Sequence, residues 1–366
     1  MRLLVFSDLH LHPFRAFADY SSGDNSRRML ALDHLEQIVN QANSFPGCDA
    51  VVFAGDFFHD RNSVDPVSLH KANAILERLH VPFFAASGTH DLSRENFSAL
   101  RLLRLPAGSK VDESFEFIDK SLHSWTFILV PDPLDYGSHQ EKIERALAGL
   151  SPELLPNPKI LVSHGYVVGA FPHPFWVEKG LDAAWLEVNF EFSILGHVHE
   201  SGSEGAILVP GHSIPQGFGD SGAGMVWGID LVPKQDAVEI GKIKFFFLNP
   251  KFETVLDTFT DFRPGCFYRI QTNSRTFGLP EGVKGEVVYM GIRQEDEERV
   301  EEVVPASSTP AEVVSNISAS FPEENRALLK KVGEFLVSSS SPVVPLDEVK
   351  EIISWHGPDI KEAEEA

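Results

Sequence analysis

Short apolar runs recur through the N-terminal part of the chain, and five of them stop at a residue type that binds metals. Leu3-Leu4-Val5-Phe6 leads to Asp8-Leu9-His10, and Val51-Val52-Phe53-Ala54 leads to Gly55-Asp56 with His59 just beyond. Val81-Pro82-Phe83-Phe84 precedes Thr89-His90-Asp91, Ile160-Leu161-Val162 precedes Ser163-His164-Gly165, and Phe192-Ser193-Ile194-Leu195 precedes Gly196-His197-Val198-His199. Runs this short, partly β-branched or aromatic, predict strands buried on both faces. Between them lie helical patterns at 27–43, with Leu30, Leu35, Ile38, Val39 and Ala42 on one face, and at 66–79, where Pro66 suits a first helical turn. This alternation predicts an α/β domain over residues 1–240. In open α/β sheets the loops leaving the C-terminal strand ends share one edge, so ligands far apart in sequence are expected to converge there.

Further along, the pattern changes. Ile243, Phe245 and Phe247 alternate at period two, and Tyr268-Arg269-Ile270 and Val287-Val288-Tyr289 follow the turn-rich Arg263-Pro264-Gly265. These predict a small capping domain over 241–292. Residues 293–321 combine an acidic run with Pro305, Ser307, Ser308, Thr309 and Pro310, as a linker does. Two amphipathic helices are predicted in 322–366. The first spans 322–337 with Leu328, Leu329, Val332, Phe335 and Leu336 in one stripe, and the second spans 345–355 with Leu346, Val349, Ile352 and Ile353. So small a helix-loop-helix leaves an apolar face for a partner, or folds back on the main domain.

The residue types fit two divalent cations about 3.5–4 Å apart, which need a bridging carboxylate, flanking imidazole and oxygen ligands, and room for water and a phosphate. Asp56 is the natural bridge. Asp8, His10 and His199 would complete one metal, and His164 and His197 belong to the other. A mixed imidazole and carboxylate shell without thiolates suits manganese, iron or zinc better than calcium or magnesium alone. A hydroxide held between the ions would attack phosphorus in line. His90 is the candidate to protonate the leaving oxygen or stabilise the transition state, and Asp91 to fix its orientation. Any one of these motifs is weak alone; five in order, each after a strand, are specific. His34, His70, His80, His123, His139, His173 and His356 are read as packing or surface residues, while His12 and His212 should border the site.

The order of these motifs resembles the calcineurin-like metallophosphoesterases, and more narrowly their SbcD-type DNA double-strand-break repair nucleases. Gly55-Asp56-Phe57-Phe58-His59-Asp60-Arg61 carries the narrower likeness, through a histidine three residues past the bridging aspartate. So does Val209-Pro210-Gly211-His212-Ser213-Ile214-Pro215-Gln216-Gly217-Phe218-Gly219-Asp220, similar to a stretch running from a Pro-Gly-Ser turn to a Phe-Gly-acid end. The resemblance covers roughly residues 1–290. It implies a four-layer αββα sandwich of two mixed sheets with a small α+β cap and C-terminal helices. It also implies Mn2+, or Mg2+ or another divalent ion, as cofactor, and His59, Arg61 and His212 beside the substrate. DNA would be the substrate and an SbcC-type coiled-coil ATPase the partner of the C-terminal helices. A homodimer is implied too, with helices 27–43 and 66–79 as its surface unless their stripes face the sheet. One position departs. The family usually has a metal-binding asparagine where this chain has Thr89, so Thr89 is expected to ligate the second metal, directly or through water, with a shorter hydroxyl in place of an amide oxygen and a looser second site.

Composition narrows the classes. With 366 residues and 43% hydrophobic content the chain supports one large domain and a smaller unit. Cys48 and Cys266 are too far apart for a Cys-X-X-Cys motif, which suits a reducing, cytoplasmic compartment, in a bacterium or in the host of one of its viruses. Neither a secretory leader nor a membrane span is expected, because every apolar run is too short. Net charge is −22, opposing nonspecific attraction to DNA, and residues 294–366 hold 17 acidic and 6 basic residues, half of that excess. Three classes follow: a DNA exonuclease and endonuclease, a phosphomonoesterase or cyclic-nucleotide phosphodiesterase on the same core, and a non-catalytic scaffold.

Overall fold

A computed structural model describes residues 1–132, 139–169, 180–220, 224–234, 237–246, 251–256, 258–263, 266–272 and 278–289. In chain order the elements are β1 (Arg2–Phe6), α1 (Ser26–Ser44), β2 (Ala50–Phe53), α2 (Pro66–Leu76), β3 (Phe83–Ala85), β4 (Lys110–Val111), β5 (Ser114–Ile118) and β6 (Ser124–Val130). Then come α3 (His139–Ala148), β7 (Lys159–His164), β8 (Val167–Val168), β9 (Leu181–Asp182), α4 (Ala183–Asn189), β10 (Phe192–Gly196), β11 (Gly202–Glu204) and β12 (Ile207–Val209). β13 (Met225–Pro233), β14 (Val238–Phe246), β15 (Lys251–Leu256), β16 (Cys266–Thr272) and β17 (Lys284–Tyr289) follow.

Two six-stranded sheets, ordered β14-β13-β1-β2-β3-β4 and β11-β12-β10-β7-β6-β5, carry the fold. Both are mixed. β1 to β4 run parallel and β13 and β14 antiparallel, while β6, β7, β10 and β12 run parallel between antiparallel β5 and β11.

The apolar runs are explained by where their alternate residues go. Leu3, Val5, Ala50, Val52, Phe84, Phe127, Leu129, Ile160, Val162, Phe192 and Ile194 share one core between the sheets. The intervening Leu4, Phe6, Val51, Phe53 and Phe83 pack on the other face of the first sheet with Leu32, Leu35, Ile38, Val39 and Ala42 of α1 and Ala72, Ile75 and Leu76 of α2. Ile128, Val130, Leu161 and Leu195 lie on the outer face of the second sheet with Ile143 of α3 and Leu186 of α4. The result is the expected αββα layering. The stripes of α1 and α2 therefore face the sheet. Their starts are capped as the sequence suggests, Asn25 accepting from Arg28 N and Asp65 from Ser68 N, with Pro66 in the first turn.

β14 continues the first sheet through Phe246, past the boundary expected at residue 240, so Ile243 and Phe245 pair with β13 rather than belonging to a cap. β15, β16 and β17 form a separate three-stranded sheet. Met1–Ile270 and Gly278–Val287 form one compact unit, which contains the whole site. The expected linker at 293–321 and the helices at 322–366 lie outside the described residues.

Candidate metal centre

Chain segments leaving β1, β2 and β10 turn sharply, and the turning residues are the candidate ligands. Asp8 (φ 51°), His10 (φ 47°), Asp56 (φ 61°) and His197 (φ 90°) all adopt left-handed backbone. This conformation costs a non-glycine residue about 1–3 kcal/mol, although aspartate and histidine tolerate it better than most. The strain is held by main-chain bonds that zip the β1 and β2 loops together: Asp8 N to Gly55 O at 2.9 Å, His10 N to Asp56 O at 3.0 Å and Leu11 N to Phe57 O at 2.8 Å. A side chain at Gly88 would collide with the Asp56 carboxylate, so glycine permits the β3 loop to approach.

Asp91 secures the same turn from below. Its buried carboxylate accepts from Asp56 N at 2.8 Å, Phe57 N at 2.9 Å, Phe58 N at 3.1 Å and Gly88 N at 3.0 Å. Burial and the Asp56 charge push Asp91 up to about 8, against the pull of its N–H donors. The expected role of orienting His90 is corrected: the carboxylate is occupied by main-chain N–H groups, and the His90 Nδ1 faces the His59 carbonyl.

The ligands gather in two groups. Atoms of Asp8, His10 and His199 lie within 4.8 Å of one another, and so do those of Asp132, His164 and His197. Asp56 joins them, with Oδ2 at 3.2 Å from His164 Nε2 and 3.8 Å from His10 Nε2. Hydrogen-bond partners set the tautomers. His164 Nδ1 meets Ala54 O at 2.8 Å and His199 Nδ1 meets Asp220 Oδ1 at 2.6 Å, so each Nε2 turns a lone pair into the centre. There the His199 Nε2 lies 3.2 Å from His10 Nε2. Asp8 Oδ1 and His164 Nε2 are buried without a hydrogen-bond partner. Acceptors converging without donors fit divalent cations, and with no thiolate among them the set suits a borderline or hard ion.

Electrostatics point the same way. Burial lowers His10, and burial with the neighbouring His164 lowers His197 to about 4, keeping both neutral as metal ligands must be. Burial raises Asp8. It acts to raise Asp56 too, but His164, His10 and His90 outweigh it and leave Asp56 below the usual carboxylate range. For His164 burial is outweighed by Asp56 and Asp8, which push it up to about 10: a proton is drawn to the point where a cation fits.

The other predicted residues divide. His90 lies beside the centre with Nε2 at 4.0 Å from Asp56 Oδ2, stacked on His59 at 5.2 Å and 10°. His59 contacts Phe14 at 4.6 Å and His12 at 5.3 Å, and burial with His90 and His12 lowers it to about 4. Arg61 borders a cleft of about 500 Å³ with Arg94, Phe97 and Asp91. His212, expected at the substrate, is 3% exposed; its Nδ1 donates to His199 O at 2.9 Å, so it supports a ligand from behind. Thr89 donates its hydroxyl to Asp132 at 2.8 Å. Sequence reasoning missed Asp132 as a candidate and did not foresee the tie from Asp220 to His199. Asp132 carried only a weak signal: it follows the apolar run of β6 as the other ligands follow theirs, but with no histidine beside it.

Asp220 also accepts from Gln216 N at 2.6 Å, and Gln216 O accepts from Arg27 at 2.7 Å, whose guanidinium lies over Phe252 and Phe267 of the small sheet at 5.0 and 5.4 Å. Asp220→Asn is expected to weaken first-site metal affinity by about 10–100-fold, as loss of an outer partner does elsewhere. Manganese titration of the stripped protein checks this; unchanged affinity would assign Asp220 to the loop alone.

Two mixed sheets face to face, with a buried carboxylate and imidazole cage at the shared strand ends, define a metal-dependent phosphoesterase. The description of the calcineurin-like phosphoesterases matches residues 1–201, more than half of the 366 residues, and the chain belongs to that family. No curated protein matches the chain. Among solved structures, TT1561 of Thermus thermophilus is 16% identical with a TM-score of 0.38, covering 58% of this chain and 89% of its own. A dimetal phosphatase from Danio rerio is 14% identical with a TM-score of 0.40, covering 67% and 98%. A 5'-nucleotidase precursor from Thermus thermophilus is 14% identical with a TM-score of 0.39, covering 67% and 54%. No helix among the described residues is long and apolar enough to cross a membrane.

Proposed function

We propose that this phosphoesterase is a two-metal DNA nuclease, an exonuclease on duplex ends and an endonuclease on single strands, working as a homodimer with an SbcC-type ATPase in repair or recombination. The observation that carries the reading is a cluster of rings beside the metal ligands: His12, Phe14 and His59 pack against one another at 4.6–5.3 Å with their planes tilted, and His90 stacks on His59. Such a cluster gives a sugar-phosphate chain aromatic surface for contact and N–H groups for phosphate oxygens. Arg61 and Arg94 in the adjoining cleft add fixed positive charge on a chain of net charge −22. Asp56, Asp8, His10 and His199 would hold one ion, and Asp56, His164 and His197 the other. Bound, the pair supplies Lewis acidity and a nucleophile at neutral pH, Mn2+ being the proposed physiological ion. His90 would face the leaving oxygen through Nε2, its ring fixed by the His59 carbonyl.

The net charge favours a second reading, a phosphomonoesterase or cyclic-nucleotide phosphodiesterase acting on small substrates. The test is cleavage of linear duplex and circular single-stranded DNA with manganese, magnesium or EDTA, beside hydrolysis of a nitrophenyl phosphate. Manganese-dependent DNA cleavage is expected, falling about 10²–10⁴-fold in His90→Asn with metal content unchanged. Turnover of the small ester alone would transfer the assignment to the second reading.

A further inference from the structure

Asp132 is a buried acid beside His164 and His197, the imidazoles placed at the second ion. It is 1% exposed and follows β6, whose neighbour β7 ends in His164. Its main-chain N–H donates to Ser87 O at 2.8 Å, so its backbone is fixed against the loop that carries Thr89. The carboxylate accepts the Thr89 hydroxyl at 2.8 Å, and its ligand oxygen lies within 4.8 Å of both His164 and His197 ligand atoms. The Lys142 ammonium approaches the Asp132 main-chain oxygen, at 3.2 Å.

Resting on the two-metal reading of this site, we infer that Asp132 supplies the oxygen ligand of the second metal and that Thr89 is its positioning residue. The threonine hydroxyl donates a hydrogen bond to the carboxylate and orients it, as outer partners orient metal-binding carboxylates generally. The ligands of the second ion are then Asp56, Asp132, His164 and His197, matching the charge of Asp8, Asp56, His10 and His199 around the first. An anionic ligand binds a divalent ion more tightly than a neutral hydroxyl, so the looser second site expected from Thr89 is reversed. The extra negative charge also favours harder ions such as Mn2+ over a cage of neutral ligands.

The test counts ions on the full-length protein. Chelator-stripped wild type, Asp132→Asn, Thr89→Val and the double variant Thr89→Asn/Asp132→Asn are dialysed against graded Mn2+. Bound metal is measured by atomic emission and spin coupling by electron paramagnetic resonance, with a thermal melt of each stripped protein. Wild type is expected to bind two coupled ions. Asp132→Asn should keep the first and bind the second about 100-fold or more weakly, with loss of the coupled signal, while Thr89→Val keeps both with about tenfold weaker second binding. The double variant, which offers an amide oxygen from position 89, should regain much of the second ion. Two ions at wild-type affinity in Asp132→Asn would overturn the inference and leave the two-metal reading standing. Loss of the second ion in Thr89→Val as complete as in Asp132→Asn would overturn it as well, and does not depend on how Asp132→Asn folds. Fewer than two ions on the wild type would remove the two-metal reading and this inference together.

Discussion

Asp91→Ala is expected to be the most destabilising single substitution around the site. Four main-chain N–H groups end on this carboxylate at 2.8–3.1 Å, three of them from consecutive residues of the Asp56 turn. Alanine leaves all four without their acceptor in a place water does not reach, at about 1–3 kcal/mol for each buried group. Even at the lower end this is about 4 kcal/mol, a large share of the roughly 5–15 kcal/mol that stabilises a domain. The turn it holds includes the left-handed Asp56, so its own strain adds to the loss. Denaturant unfolding of the stripped proteins measures the effect, and Asp91→Asn, which keeps the volume and one oxygen, should fall between. A variant within about 1 kcal/mol of wild type would show that the clamp is dispensable.

Asp56→Asn is expected to have the largest effect on activity. Its carboxylate faces His164 at 3.2 Å, His10 at 3.8 Å and His90 at 4.0 Å through one oxygen, and accepts the His90 N–H at 2.8 Å through the other. The amide preserves shape but removes the charge that both ion positions share, and turns an NH2 group toward imidazoles or main-chain N–H. Metal content should fall from two ions toward none, with turnover down about 10³-fold or more, since several kcal/mol of transition-state stabilisation go with the ions. His164 should titrate lower, because the partner that raises it most is gone. Paired metal analysis and kinetics would detect failure: two ions retained with near-normal turnover would exclude Asp56 as the bridge.

The strand ends were legible because two different constraints coincide there. A strand packed on both faces must be continuously apolar, and a metal ligand must be polar and ionisable, so the change from Val5-Phe6 to Asp8 or from Leu195 to His197 marks both. Asp132 has the same break after Val130 but no histidine beside it, and a lone aspartate after a strand carries little information. The task of Asp91 was hidden for a different reason. Its partners are main-chain N–H groups, which every residue but proline owns, so sequence cannot say where they point. The extent of β14 was hidden because period two in Ile243 and Phe245 reports a strand and not the sheet it joins.

The left-handed ligands also restrict how this centre can drift in evolution. At Asp8, His10, Asp56 and His197 a replacement passes two separate filters, one chemical and one set by the backbone. Glycine satisfies the second and fails the first, while glutamate keeps a carboxylate but fits the backbone less well. Exchange at these four positions is therefore confined to the few residue types that pass both filters, aspartate, asparagine and histidine, and any other new ligand is recruited from outside these turns, at a position of ordinary backbone.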